Sequence, residues 1–409
     1  MSVPARLTRD AKPLAVGGIA VGILAVWLTL PPVEIRTATI PIALGIVAAA
    51  IGIFTTTRGV VRLGWGSVSA GVFGLVLGLL SLQSGLEHLK VVFTWGGLIA
   101  ATFTYATPLT FGALGGMFSE RSGVVNIALE GMMLVGAYFS IWGSITTGNW
   151  VLGLLIGIGI GGLFGLVHAI WAVHLRANQI VAGTAINFLA VGVTGYFFIQ
   201  TYGDNGTPEL SQHSWFRGEA IPSVRIPGLQ GSGFFSQVFG SLNLMIWLSF
   251  VFLVISYLVL FKTSIGLRIR SVGEHPRAAD TVGIDVYRTR YAAVIVSSML
   301  AAMGGAYLSI GFTESFNQDM TEGRGFIALA ALIFGKWRPF GAFAAALLFG
   351  FSSALAQVIP SAYSNSSVSL LGSSSLFLIL PYVLTLVAVA GVIGRSIAPA
   401  ADGIPYVKQ

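Results

Sequence analysis

Runs of about twenty apolar residues recur along this chain from residue 13 to residue 394, and no other feature restricts the fold as strongly. A run of that length crosses a hydrocarbon core of about 30 Å as an α-helix. The runs are continuously apolar and do not alternate, which favours helices over a barrel. Only 9% of the residues are charged, where a soluble domain carries roughly 25%. The expected fold is therefore all-α, a polytopic transmembrane helical bundle of about ten to twelve spans. The pattern places them at 13–30, 38–54, 67–82, 91–118, 124–146, 150–173, 179–200, 243–262, 291–311, 326–335, 340–360 and 374–394. The piece at 326–335 is too short to cross alone and reads as a half-helix that enters and turns back, or as part of its neighbour.

The formal net charge is +7. Basic residues of membrane proteins collect in cytoplasmic loops, and that explains the excess better than nucleic-acid binding does. With the N-terminus inside and strict alternation of spans, 17 of the 22 Lys and Arg residues fall on the cytoplasmic side. Arg36, Lys90, Arg217, Arg225 and Arg324 are the five left outside. Both termini are thus expected in the cytoplasm. The opening, with Arg6, Arg9 and Lys12 ahead of an apolar run, has the look of a secretory signal. No small-residue cleavage site follows cleanly, so it reads as an uncleaved first span. There is no cysteine, hence no disulfide framework and no thiolate chemistry.

Against this apolar background, Phe118-Ser-Glu-Arg-Ser-Gly-Val-Val-Asn-Ile-Ala-Leu-Glu-Gly-Met132 stands out. Polar groups at membrane depth are costly and usually mark function. Glu120 and Arg121 read as a charged turn near the cytoplasmic face. Asn126 and Glu130 are four apart. On a helix beginning near Val124 they would share a face in its first two turns, where the dipole favours the carboxylate. They are candidates to line a solute path, together with Asn187 at mid-span. Asn178, Gln179 and Thr184, the loop residues Glu314, Asn317, Gln318 and Glu322, and the rings of Trp95, Phe103, Tyr105 and Phe111 are weaker candidates.

Gly153, Gly157, Gly161 and Gly165 recur every four residues and form a face for close helix packing. A faint internal repeat pairs Ala113-Leu-Gly-Gly116 with Ala302-Met-Gly-Gly305, and Ile127-Ala-Leu129 with Ile327-Ala-Leu329. Two homologous halves around a central path would follow from it.

The basic loop at 263–290 carries a short helix signal. Pro276 suits a first helical position and Gly283 a left-handed stop. Between them Arg277 to Val282 spans about two turns, with Ala278, Ala279 and Val282 as a small apolar face. So short a helix is marginal alone and needs a surface to lie against. This loop resembles the coupling-helix segment of membrane permeases of ATP-binding-cassette importers. The stretch Ala113 to Met133 resembles a signature of the branched-chain amino acid and simple-sugar permease superfamily. Within it the similarity is greatest to nucleoside permeases that work with binding proteins of the basic membrane protein family. Gly323-Arg-Gly-Phe-Ile-Ala-Leu-Ala-Ala-Leu-Ile-Phe-Gly-Lys-Trp-Arg-Pro339 fits the same pattern. The resemblance covers about 95–395. It implies a permease domain at 91–400 and extra spans at 1–90.

The resemblance also implies partners: a cytoplasmic ATPase gripping Glu274, Pro276, Arg277, Ala278, Asp280 and Gly283, a second permease subunit, an extracytoplasmic solute-binding protein and the surrounding membrane lipid. No P-loop is present, since Gly335-Lys336 lacks both the spaced glycine and the following hydroxyl. ATP and magnesium would belong to the partner ATPase, with no cofactor on this chain. The five histidines are scattered, so no metal site and no catalytic residues are expected. The expected function is import of a small polar solute, with nucleosides first. A pentose or a branched-chain amino acid is the near alternative. An ion- or proton-coupled secondary transporter with Glu130 as the coupling acid is the alternative of another class, and a scaffold without transport a third.

Overall fold

The computed structural model describes residues 5–29, 39–84, 94–203, 206–207, 219–229, 231, 233–363 and 396–408. The described residues are mostly helical, with two strands of three residues each. In order they form α1 (Ala5–Thr29), α2 (Thr39–Thr57), α3 (Val61–Ser84), α4 (Trp95–Arg121), α5 (Leu129–Thr147), α6 (Trp150–Ala169) and α7 (Gln179–Tyr202). Then come β1 (Ser223–Arg225), α8 (Phe234–Phe239), β2 (Ser241–Asn243), α9 (Leu244–Lys262), α10 (Ser264–Glu274) and α11 (Pro276–Thr281). The series closes with α12 (Val286–Ala306), α13 (Arg324–Phe334) and α14 (Pro339–Tyr363). Wider π turns extend α6 through His174 and α12 through Phe312.

Among the described residues, eight helices are long and apolar enough to cross a membrane. The expected spans from 13–30 to 340–360 each overlap a described helix, but four starts differ by five or more residues: α1 begins at Ala5, α3 at Val61, α5 at Leu129 and α12 at Val286, against expected starts at 13, 67, 124 and 291. The expected span at 374–394 lies outside the described residues. The short piece expected at 326–335 is α13, an 11-residue helix followed by a turn and α14.

The chain forms two compact units. One contains residues 1–101, 231–238 and 352–395, and the other 102–230, 239–351 and 396–409. In the first, α1, α2 and α3 pack through small residues. Gly52 of α2 lies against Gly64 and Val68 of α3, and the Ser67 hydroxyl donates to Ala48 O at 2.7 Å. In the second, α12 is the central helix, with a largely buried surface. A Cβ at Gly115 of α4 would meet Ser297 O of α12, and one at Gly304 of α12 would come within 2.8 Å of Pro108 O.

The glycine face of α6 serves two neighbours. Gly153 and Gly157 lie against Ser140 and Ser144 of α5, whereas Gly161 and Gly165 lie against Ala302 and Ser298 of α12. The two short strands pair antiparallel, with Val224 opposite Leu242. Asn243 closes this turn by donating to Ile221 O (3.1 Å) and Gly311 O (2.9 Å) and by capping α9 through Met245 N–H. Ala113–Gly116 and Ala302–Gly305 are helical in both halves, but the second word pair of the expected repeat occupies different local structure. Ile127-Ala-Leu129 runs from non-helical chain into α5, while Ile327-Ala-Leu329 lies inside α13. The fold therefore displays no repeat at that pair.

Close packing along α6 yields a testable asymmetry. Gly161→Leu drives a side chain into Ala302 and should cost about 1–3 kcal/mol, read as a lowered Tm in detergent. Gly159 on the same helix has open space around it, so Gly159→Leu should leave the Tm unchanged.

Candidate functional site

The span expected to begin at 124 is broken. Helix α4 ends at Arg121, residues 122–128 are not helical, and α5 begins only at Leu129. Gly123 turns the chain with φ +86°. Asn126 therefore precedes the helix and shares no helical face with Glu130, which corrects the expected arrangement. Non-helical backbone at membrane depth is tolerated only where its polar groups are satisfied inside the protein. Here side chains from neighbouring helices satisfy them. Val125 N–H donates to Gln179 Oε1 at 2.7 Å, and Val125 O pairs with His168 Nε2 at 3.2 Å. Asn187 Nδ2 donates to Ile127 O at 3.1 Å, while its Oδ1 accepts Gly131 N–H at 2.8 Å. The Ser119 hydroxyl donates to Val124 O at 2.6 Å, and the buried Arg290 donates through Nε to Ser122 O at 3.2 Å.

The two carboxylates of the segment hold opposite ends of α13. A helix N-terminus leaves backbone N–H groups without intrahelical partners, and Gly323, which precedes α13, has no side chain to cap them. Glu130 supplies the cap from α5. Its Oε1 accepts Gly323 N–H at 2.8 Å and its Oε2 accepts Gly325 N–H at 2.5 Å. Its negative charge also opposes the positive end of the helix dipole. Gly325 is required there, because a Cβ would stand 2.5 Å from Glu130 Cα.

At the other end of α13, Lys336 and Trp337 take left-handed conformations, with φ 56° and 52°. The Trp337 indole N–H donates to Glu120 Oε2 at 2.5 Å. Arg121 donates to Trp337 O through Nε (3.1 Å) and Nη2 (2.8 Å). Arg121 also lies 4.0 Å from Glu274 and sits over the Phe261 ring at 5.7 Å, which ties this turn to the end of α10. The charged turn expected at Glu120-Arg121 is thus present, with its main grip on α13.

Asn126 is fully buried and donates from Nδ2 to Ser297 Oγ at 2.9 Å, leaving Oδ1 with no partner. Asn178 caps α7 through Ile180 and Val181 N–H. Thr184 is exposed and returns its hydroxyl to Ile180 O at 2.9 Å. Asn317, Gln318 and Glu322 are exposed. Phe103, Tyr105 and Phe111 pack edge-on against Phe250, Phe312 and Phe252. Among the described residues, no group of three His, Asp or Glu side chains is placed to hold a metal ion.

In the basic loop, α11 begins at Pro276 as expected and is stopped by Gly283 at φ +83°. The expected apolar face is smaller than the pattern suggests: Ala279 is buried, while Ala278 and Val282 are exposed. The preceding residues also form α10, capped by Thr263, and α12 starts at Val286 under an Asp285 cap, five residues before the expected span.

The family model for the permease component of branched-chain amino acid transport systems matches residues 98–392. The chain belongs to this permease family. It is a multi-pass membrane protein and a transport component, not an enzyme. It is 43% identical over 332 residues to the guanosine ABC transporter permease protein NupQ of Bacillus subtilis, covering 76% of this chain and 96% of that one. It is 40% identical over 328 residues to the nucleoside ABC transporter permease protein NupC of Lactococcus lactis, covering 78% of this chain and all of that one. It is also 24% identical over 295 residues to the guanosine ABC transporter permease protein NupP of Bacillus subtilis, covering 69% and 80%. No solved structure matches. In this permease, the broken helix and α13 both lie within the matched region.

Several site residues escaped the sequence. His168, one of the scattered histidines, is buried and its bond to Val125 O supports the break. Arg290 is hidden among the basic residues of the loop. Trp337 stands in the quoted 323–339 motif without a role of its own, and Asp402 gives no signal.

Two outcomes follow from this geometry. Glu130→Gln keeps one acceptor but turns a donor toward an N–H group, which should destabilise by about 1–3 kcal/mol. Glu130→Ala removes both acceptors and should cost at least as much by thermal unfolding. The second concerns Asp402, which lies outside the spans. Burial raises its carboxyl to about 7, against the opposing pull of Arg290 and of the Gly403 amide. A carboxyl raised above its unfolded value binds its proton more tightly in the folded state. Its contribution is full at acidic pH and is lost as pH rises through about 7. Amide exchange in residues 396–408 should quicken between pH 6 and pH 8 beyond its intrinsic dependence, and Asp402→Asn should abolish the excess.

Proposed function

We propose that this chain is a permease subunit of an ATP-binding-cassette importer that carries nucleosides into the cell. The observation that carries the reading is the 43% and 40% identity, over nearly the full length of both relatives, to permeases named for guanosine and nucleosides. The permease performs no covalent chemistry. Its role is differential: outward-open and inward-open states must each be favoured by a different partner, or nothing is pumped.

Both termini and the loop at 263–290 lie in the cytoplasm. There a separate ATPase, holding ATP and magnesium, engages α11 and its flanks through Glu274, Pro276, Arg277, Ala278, Asp280 and Gly283. A second permease subunit completes the path. The similarity of this chain to two guanosine permeases of one organism, NupQ and NupP, favours a heteromeric pair. An external binding protein delivers solute to the outer loops, including 202–243. Residues 98–392 carry the transport function, and the spans at 1–90 are an addition to it.

Asn126, Glu130 and Asn187 serve the path by fixing the shape of the break. Glu130 and Asn187 bond to backbone, and only the Asn126 Oδ1 is left without a partner. α13, a half-helix capped from the break, is the element whose shift would open or close the path.

Reconstitution with its ATPase and binding protein tests this reading. Guanosine and other nucleosides should stimulate ATP hydrolysis, while pentoses and branched-chain amino acids should not. Arg277→Glu should release the ATPase or abolish the stimulation. Stimulation by a pentose alone, or uptake driven by a proton gradient without ATP, would contradict it.

A further inference from the structure

We propose that residues 396–408 form a strap that sets the position of α11, with Tyr406 as the positioning residue on Asp280. The inference rests on the permease reading, in which α11 meets the ATPase, and it extends that reading to a segment with no assigned role.

Helix α11 has six residues, too few to be stable by itself. Only Ala279 anchors its apolar side, in a cluster with Val272, Val286 and Tyr406. One of these four side chains therefore comes from the strap. The Tyr406 hydroxyl donates to Asp280 Oδ2 at 2.9 Å, and Lys408 Nζ lies 3.7 Å from Asp280 Oδ1. Both carboxylate oxygens of Asp280 thus face the strap.

The strap is fixed along its length. Ala401 N–H donates to Gly273 O at 2.8 Å, and Ala400 N–H to Glu274 Oε2 at 3.2 Å. Arg290 Nη1 donates to Ile404 O at 3.0 Å. The same guanidinium holds Ser122 O of the broken helix at 3.2 Å. The strap, α11 and the break at 122–128 are therefore joined by two short steps, one through Arg290 and one through the Gly273-Glu274 turn.

This connection gives the strap a specific consequence. A push on α11 by the ATPase reaches the break through Tyr406 and the strap as well as through α10. Loosening the strap should leave ATPase attachment intact and waste part of the push.

The test compares Tyr406→Phe, which keeps the ring in its cluster and removes only the hydroxyl, with deletion of 396–409. It reads ATPase co-purification and nucleoside taken up per ATP hydrolysed. Co-purification should stay at the native level with Tyr406→Phe, while the ratio falls roughly three- to tenfold, the scale of losing one part-buried hydrogen bond. The chain has no cysteine, so Val282→Cys with Val407→Cys places spin labels on α11 and the strap. Their distance distribution should broaden with Tyr406→Phe. A native ratio and an unchanged distribution in Tyr406→Phe would overturn the strap while leaving the permease reading intact. Failure of the unaltered chain to couple nucleoside uptake to ATP would overturn both.

Discussion

One carboxylate fixes how α5 meets α13. Glu130, at the start of α5, accepts the free amides that precede and begin α13. The N-terminus of a short helix leaves N–H groups without intrahelical partners, and each would be costly to bury unpaired. Glu130 removes that cost and adds a favourable charge at the positive end of the dipole. The arrangement requires α5 to begin where it does, so the chain must break before it. The break then exposes its own backbone groups, and Gln179, His168, Asn187, Ser119 and Arg290 satisfy them. The cap on α13 and the break between α4 and α5 are two sides of one requirement.

The same requirement links the membrane interior to the basic end of the bundle. Glu120 and Arg121 close the last turn of α4 and grip Trp337 at the far end of α13. Arg121 approaches Glu274, and Gly273 packs directly on Arg121 O. A displacement of α10 and α11 is therefore felt at the turn after α13 without passing through a flexible loop. That is the property a permease driven from one side needs: a discrete packed connection between the driven element and the element that moves.

Much of this was legible in the sequence. Length and continuity of the apolar runs place the helices, because burial in lipid leaves the backbone few alternatives. Pro276 and Gly283 locate α11, because both act through backbone conformation. The short run at 326–335 locates α13, which is too short to cross alone. The start of α5 was misplaced, since residues 124–128 are apolar enough to continue a helix and nothing local forbids it. The break is imposed by partners far along the chain, from Gln179 to Arg290. Likewise Asn126 and Glu130 are spaced for one helical face, yet only the tertiary context shows that the helix begins between them. The strap is invisible to periodicity, because residues 396–408 have no regular structure and act through single contacts.

Hydrogen exchange at the Gly323 and Gly325 amides tests the central claim most directly. These residues stand at a helix N-terminus, where intrahelical bonds give no protection. If Glu130 caps them, both amides are protected in the native protein to the level of the α13 interior, and Glu130→Ala exposes them without exposing the core of α12. Fast exchange of both amides in the native protein would contradict the account.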